Sequence, residues 1–119
     1  MKNKVEVIIQ KLIVHVEKIG EYCKSCESIE RFTANPLIVE ACVFNLSQIG
    51  ELTKRLDEDF CASHTDVPWE RLYGLRNRIV HDYEGINFSR IWSIIRDDLP
   101  ILKRQLMELL LINVRDNGQ

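Results

Sequence analysis

Glycine and proline are scarce in this chain, five and three among 119 residues, and aromatic residues make up only 8%. That scarcity, with 45% hydrophobic residues, excludes the disordered and collagen-like classes. Charge of one sign is also lacking: 16 Lys and Arg against 18 Asp and Glu leave a net charge of −2. No broad basic surface advertises a polyanion partner, so any nucleic-acid contact has to be local. Long hydrophobic runs are missing as well. Leu109-Leu110-Leu111-Ile112 falls far short of the ~20 apolar residues that span a bilayer, and charges interrupt the N-terminus where a signal peptide would need an apolar stretch. A cytoplasmic protein without membrane contact is expected.

The chain is long enough for a single domain, residues 1–119, with one core and no need of disulfide or metal staples. Its four cysteines, Cys23, Cys26, Cys42 and Cys61, therefore read as reduced thiols. Cys23 and Cys26 form a C-x-x-C without a second ligand pair and lie in a helical apolar pattern, so they read as packed core thiols. No metal or cofactor is expected. There is no internal repeat, low-complexity tract or Gly/Ser linker.

From Val5 the apolar positions Val5, Ile9, Leu12, Val16, Ile19, Cys23 and Cys26 recur at steps of four and three, which predicts one long helix to about Glu30. His15, beside that seam, reads as a flank or a satisfied core residue rather than a catalytic one. Asn35-Pro36 is a helix start, with Asn as N-cap and Pro preset for the first helical position. The second helix has the seam Ile38, Cys42, Asn45, Ile49, Leu52 and Leu56, and a second strip of Val39, Val43 and Leu46 makes it the central one. Gln48, Glu51 and Arg55 form a polar strip that suits either a solvated face or the wall of a cleft.

Asp57 to Val67 reads as a loop holding Cys61 and an exposed His64. Pro68 opens a third helix, along which Trp69, Leu72, Arg76, Ile79 and Tyr83 share a seam. Asn87 caps a fourth, with Ile86 and Ile91 spaced for a hydrophobic staple across its start. The fourth seam is Trp92, Ile95, Leu99, Leu102, Leu106 and Leu109, to about Val114. Pro100 predicts a kink near Ile95 to Leu99, and the last few residues are expected to fray. No segment has the period of a strand. The sum is an all-α, up-down-up-down four-helix bundle with room for a short extra helix.

Arg76-Asn77-Arg78-Ile79-Val80-His81-Asp82-Tyr83 concentrates the chemistry. A guanidinium on a seam has to be paired or hydrated, and either Glu51 or a phosphate would suit Arg76. Asn77 and His81, four apart, share a face, whereas Arg76 and His81 are five apart and diverge by about 140° on one helix. A two-fold homodimer that brings two such helices together would unite them, so a composite site is expected. Histidine can take a proton from a ribose 2′-hydroxyl or give one to a leaving 5′-oxygen, while arginine stabilises charge on the phosphoryl oxygens. The same residues also fit a structural ion-pair network at a helix end.

Arg76-Asn77-x-x-x-His81-x-Tyr83, preceded by Pro68-Trp69 and followed by the helix from Asn87 to Pro100, resembles the HepT-type toxins of the HEPN superfamily, whose signature is R-x-x-x-x-H-x-Y. Ile49-Gly50-Glu51 resembles that family's I-G-E segment, and the likeness runs from about Val39 to Leu102. It implies a HEPN-type bundle and the endoribonuclease toxin of a type VII-like toxin–antitoxin module, cleaving RNA without metal. Arg76 and His81 carry over as catalytic, Asn77 and Glu51 as supporting polar residues. Tyr83 carries over as the acceptor of AMP from a minimal nucleotidyltransferase antitoxin. The alternative is a catalytically inactive HEPN module that docks a nucleotidyltransferase or a nucleotide.

Overall fold

Short polar side chains decide where the helices begin. The computed structural model describes residues 3–117, with side chains for 3–112. In it, Asn3 accepts a hydrogen bond from the Glu6 amide at 2.7 Å and starts α1 (Lys4–Tyr22). Ser28 caps α2 (Ile29–Thr33), Asn35 caps α3 (Pro36–Thr53) and Asn87 caps α7 (Phe88–Ser93), each accepting an amide donor that the first turn would leave unpaired. Between them lie α4 (Glu58–Ser63), α5 (Trp69–Tyr73) and α6 (Leu75–Glu84). A π-helical turn, Ile94–Asp98, continues α7 into α8 (Leu99–Asn117).

The bundle has four long segments: α1, α3, α5–α6 and α7–α8. Helix α3 lies against α1, α2, α5 and α6, as its two apolar strips predict. Its antiparallel relation to α6 is visible in two cross-links, Glu51 with Arg76 and Glu40 with Tyr83. The core is continuous, from Ile9, Leu12 and Ile19 through Cys42, Leu46 and Ile49 to Ile79, Ile91 and Leu106, all buried. Among the described residues there is no strand, and no helix is long and apolar enough to cross a membrane.

Several boundaries differ from the sequence pattern. The first helix stops at Tyr22, not Glu30. Cys23 and Cys26 remain buried, but in a turn closed by the Cys26 amide on the Cys23 carbonyl, and Ser28 restarts the chain as α2. A turn can extend an apolar rhythm without being helical. All four cysteines are free and buried, with Cys23 and Cys42 sulfurs 3.5 Å apart. Cys42 is pushed above its ordinary thiol value, first by its contact with Cys23 and then by burial. The supposed loop at 57–67 contains α4, which buries Cys61; His64 stacks on Phe60 and accepts the Trp69 indole N–H at 2.7 Å through its carbonyl. His15 is satisfied by donating from Nδ1 to Asn45 Oδ1 at 2.7 Å.

Pro100 disturbs the last segment where expected: its missing N–H and ring fall against the π-helical turn at Ile94–Asp98. Trp92 is half-buried against Phe32, and Ile91 takes the core position instead. The expected staple does not form, because Ile86 is 72% exposed. Helix α8 runs past Val114, and the expectation for the final residues falls outside the described chain.

Two glycine-related positions are decisive. At Gly50 an added Cβ would meet the Arg76 backbone nitrogen at 2.9 Å and the Leu72 carbonyl oxygen at 3.2 Å, so α3 and the start of α6 touch backbone to backbone. At the other end of α6 the Asn87 amide reaches the Asp82 carbonyl and the Ile86 amide reaches the Tyr83 carbonyl, a Schellman closure. Its left-handed residue is Ile86, at φ 58°, one position after Gly85. A β-branched side chain is strained there.

Gly50→Ala should lower stability by about 1–2 kcal/mol in urea unfolding, because the backbone clash outweighs the ~1 kcal/mol gain in helix propensity. Ile86→Gly should do the reverse, adding about 0.5–1 kcal/mol and raising Tm by about 3 °C in calorimetry, as relief of the left-handed strain exceeds the entropy cost of glycine.

Candidate functional site

The site lies along the outer side of α6. The chain breaks helix at Gly74, and the inward positions from there are Leu75, Ile79 and Asp82. Arg76 is therefore not on the seam, contrary to its expected burial: its side chain is 53% exposed. Leu75, one residue earlier, takes the buried position because an apolar side chain gains there what a guanidinium would lose.

Arg76 meets one of its two expected partners. Its Nε lies 3.7 Å from Glu51 Oε1, which Lys54 Nζ also approaches at 3.2 Å. The Gly50 contact brings this about, since it sets the backbone of Arg76 against the turn of α3 that carries Glu51. Exposed pairs of this kind contribute about 0–1 kcal/mol, so the guanidinium is steered but not locked. Its Nη1 donates to Asn77 Oδ1 at 3.4 Å. Asn77 thus links the Arg76 side of α6 to the side it shares with His81.

His81 stands free of the core, 82% exposed, with Nδ1 3.6 Å from Asp82 Oδ1. Tyr83, half-buried, donates from its hydroxyl to Glu40 Oε1 at 3.3 Å and packs edge-on to Phe88. Partial desolvation, then the Glu40 carboxylate, push the Tyr83 phenol above its ordinary value. It stays a neutral hydroxyl at physiological pH.

The structure thus brings Arg76, Asn77 and Glu51 into contact, leaves His81 exposed on the same helix, and sets Tyr83 against Glu40 rather than against Arg76. Phe44, on the face of α3 that carries Glu40 and Glu51, is 60% exposed between these two cross-links. The sequence reading missed Asp82, Arg90 and Glu40. For Asp82 the signal was present, because Leu75, Ile79 and Asp82 are spaced four and three and so share the buried face. Among the described residues no group of three or more His, Cys, Asp or Glu could hold a metal ion.

Comparison with known proteins bears on the family of the chain. The profile described as "Ribonuclease HepT-like" matches residues 12–109. A protein of Caldanaerobacter subterraneus subsp. tengcongensis described as a candidate RNase is 37% identical over 83 residues, 70% of this chain and 74% of its own. A candidate RNase of Methanocaldococcus jannaschii is 30% identical over 105 residues, covering 88% and 95% of the two chains. A Thermococcus cleftensis protein described as probable ribonuclease HepT is 26% identical, covering 80% and 94%. No solved structure matches. With a profile match over residues 12–109 and a relative 30% identical across most of both chains, this all-α bundle belongs to the HepT-like ribonuclease family.

Proposed function

We propose that this protein is an endoribonuclease that cleaves RNA without metal, the toxin of a two-gene toxin–antitoxin module, with a site shared by two copies of the chain. The observation that carries the reading is the exposure of Arg76 and His81 on one short helix whose other face is core.

His81 is the proton-transfer group. One histidine takes the proton of a ribose 2′-hydroxyl as that oxygen attacks the adjacent phosphorus, and a second gives a proton to the departing 5′-oxygen. A homodimer supplies both histidines, one from each protomer, which is why a single chain holds half of the machinery. Arg76 stabilises the charge that grows on the phosphoryl oxygens, and the guanidinium fork can meet two of them. Asn77, holding Nη1, orients that fork, while Glu51 restrains it from the other side.

Tyr83 is the point of control. A nucleotidyltransferase antitoxin neutralises the toxin by AMP transfer: the phenolic oxygen attacks the α-phosphorus of ATP and pyrophosphate leaves. Tyr83 is seven residues, about two turns, from Arg76 on the same side of α6. An AMP group there brings negative charge and bulk to the surface that RNA phosphate has to reach.

The carboxylates of Glu40 and Glu51 beside the site favour a second reading, a binding module without activity that docks the nucleotidyltransferase. Cleavage assays in EDTA separate the two. Wild-type protein that sediments as a dimer should cut RNA, and His81→Ala or Arg76→Ala should lose about 100-fold or more of that rate. Equal cleavage by wild type and His81→Ala would remove catalysis by this site. Co-expression with a minimal nucleotidyltransferase antitoxin should add one AMP per chain by intact-mass spectrometry, and Tyr83→Phe should stay unmodified; a modified Phe variant would move the acceptor elsewhere.

A further inference from the structure

Asp82 is 1% exposed on the inward face of α6, and neither of its carboxylate oxygens has a hydrogen-bond partner in the protein. A buried carboxylate left this way calls for an explanation, since buried polar groups are as a rule hydrogen-bonded. Its neighbours supply one. Oδ1 lies 3.6 Å from His81 Nδ1 and 3.7 Å from Arg90 Nη1, so a single oxygen faces the histidine of α6 and an arginine of α7. Consecutive helix residues diverge by about 100° and seldom serve one another. Here the divergence is useful: Asp82 is anchored in the core while the ring beside it reaches solvent.

We propose that Asp82 is a positioning residue, holding His81 in its Nδ1–H tautomer so that Nε2, on the far side of the ring, is the proton acceptor offered to substrate. The proposal rests on His81 being the proton-transfer group of the reaction above. The separation of 3.6 Å is longer than a hydrogen bond, and a small rotation of the exposed ring closes it, as catalytic contacts tighten when substrate binds. Among the described residues Asp82 is the group that faces a ring otherwise 82% exposed, so without it either nitrogen could carry the proton. Arg90 brings a cation to the same oxygen, which leaves the carboxylate paired and in place. Asparagine at position 82 has the size of aspartate but can donate to Nδ1, which favours the opposite tautomer and ties up the wrong nitrogen.

The test reads the tautomer directly, by long-range 1H–15N NMR of the His81 ring in the wild-type protein. A dominant Nδ1–H form is expected, with a shift toward Nε2–H in Asp82→Asn. In RNA cleavage the same variant should lose about 100-fold in kcat with KM changed only a few-fold. An Nε2–H form in the wild-type protein would overturn the proposal. So would equal kcat losses in Asp82→Asn and Arg90→Ala with the tautomer unmoved, which would make Asp82 part of the α6–α7 packing alone. The wild-type spectrum needs no substitution, so a variant that fails to fold leaves the test standing. A held tautomer in a protein that cuts no RNA removes the nuclease reading and leaves the Asp82 contact; cleavage with an unheld ring removes Asp82 and leaves the nuclease.

Discussion

The approach of two backbones at Gly50 is the constraint on which the site depends. Helices normally meet through side chains at 8–10 Å between axes, and a missing Cβ lets them come closer. Here the absent atom would lie 2.9 Å from the amide nitrogen of Arg76, so α3 fixes the start of α6 through main chain rather than through adaptable side chains. Glu51 follows Gly50 on one helix and Arg76 begins the site on the other. Their pairing is therefore set by backbone geometry, and the weak exposed contact between them is a consequence rather than a cause.

The other end of α6 is fixed differently. A Schellman closure ends the helix at Gly85, with Ile86 rather than a glycine in the left-handed position. Strain tolerated in a fold is held by its surroundings. The surroundings here are the Asn87 cap of α7 and the Asp82 carbonyl, which accepts the Asn87 amide. The residue whose carbonyl closes the helix is also the one whose carboxylate faces His81 and Arg90. Helix termination and the placement of the histidine are thus joined in Asp82.

Much of this was legible in the sequence, and the residues that were not have physical reasons. The caps Asn35 and Asn87, the apolar rhythm of α3 and the disturbance before Pro100 all act locally, so a chain read in order reveals them. Ser28 was overlooked because the buried Cys26 kept the apolar rhythm of α1 going through a turn. The break at Gly74 was hidden for a similar reason, since Trp69, Leu72 and Arg76 keep a helical spacing across it. Asp82 was passed over because a carboxylate does not look like a core residue, although its spacing from Ile79 and Leu75 said otherwise. Glu40 and Arg90 required the third dimension: their partners Tyr83 and Asp82 lie on other helices.

The Arg76–Glu51 contact at 3.7 Å means that the guanidinium of the free protein is already occupied by an anion of its own. A ligand does not enter an empty cradle there; it exchanges with a tethered carboxylate that is always present at high local concentration. Because an exposed pair of this kind is worth no more than about 1 kcal/mol, that exchange costs an incoming anion little, and Glu51 acts as a placeholder that keeps the guanidinium pointed rather than as a barrier.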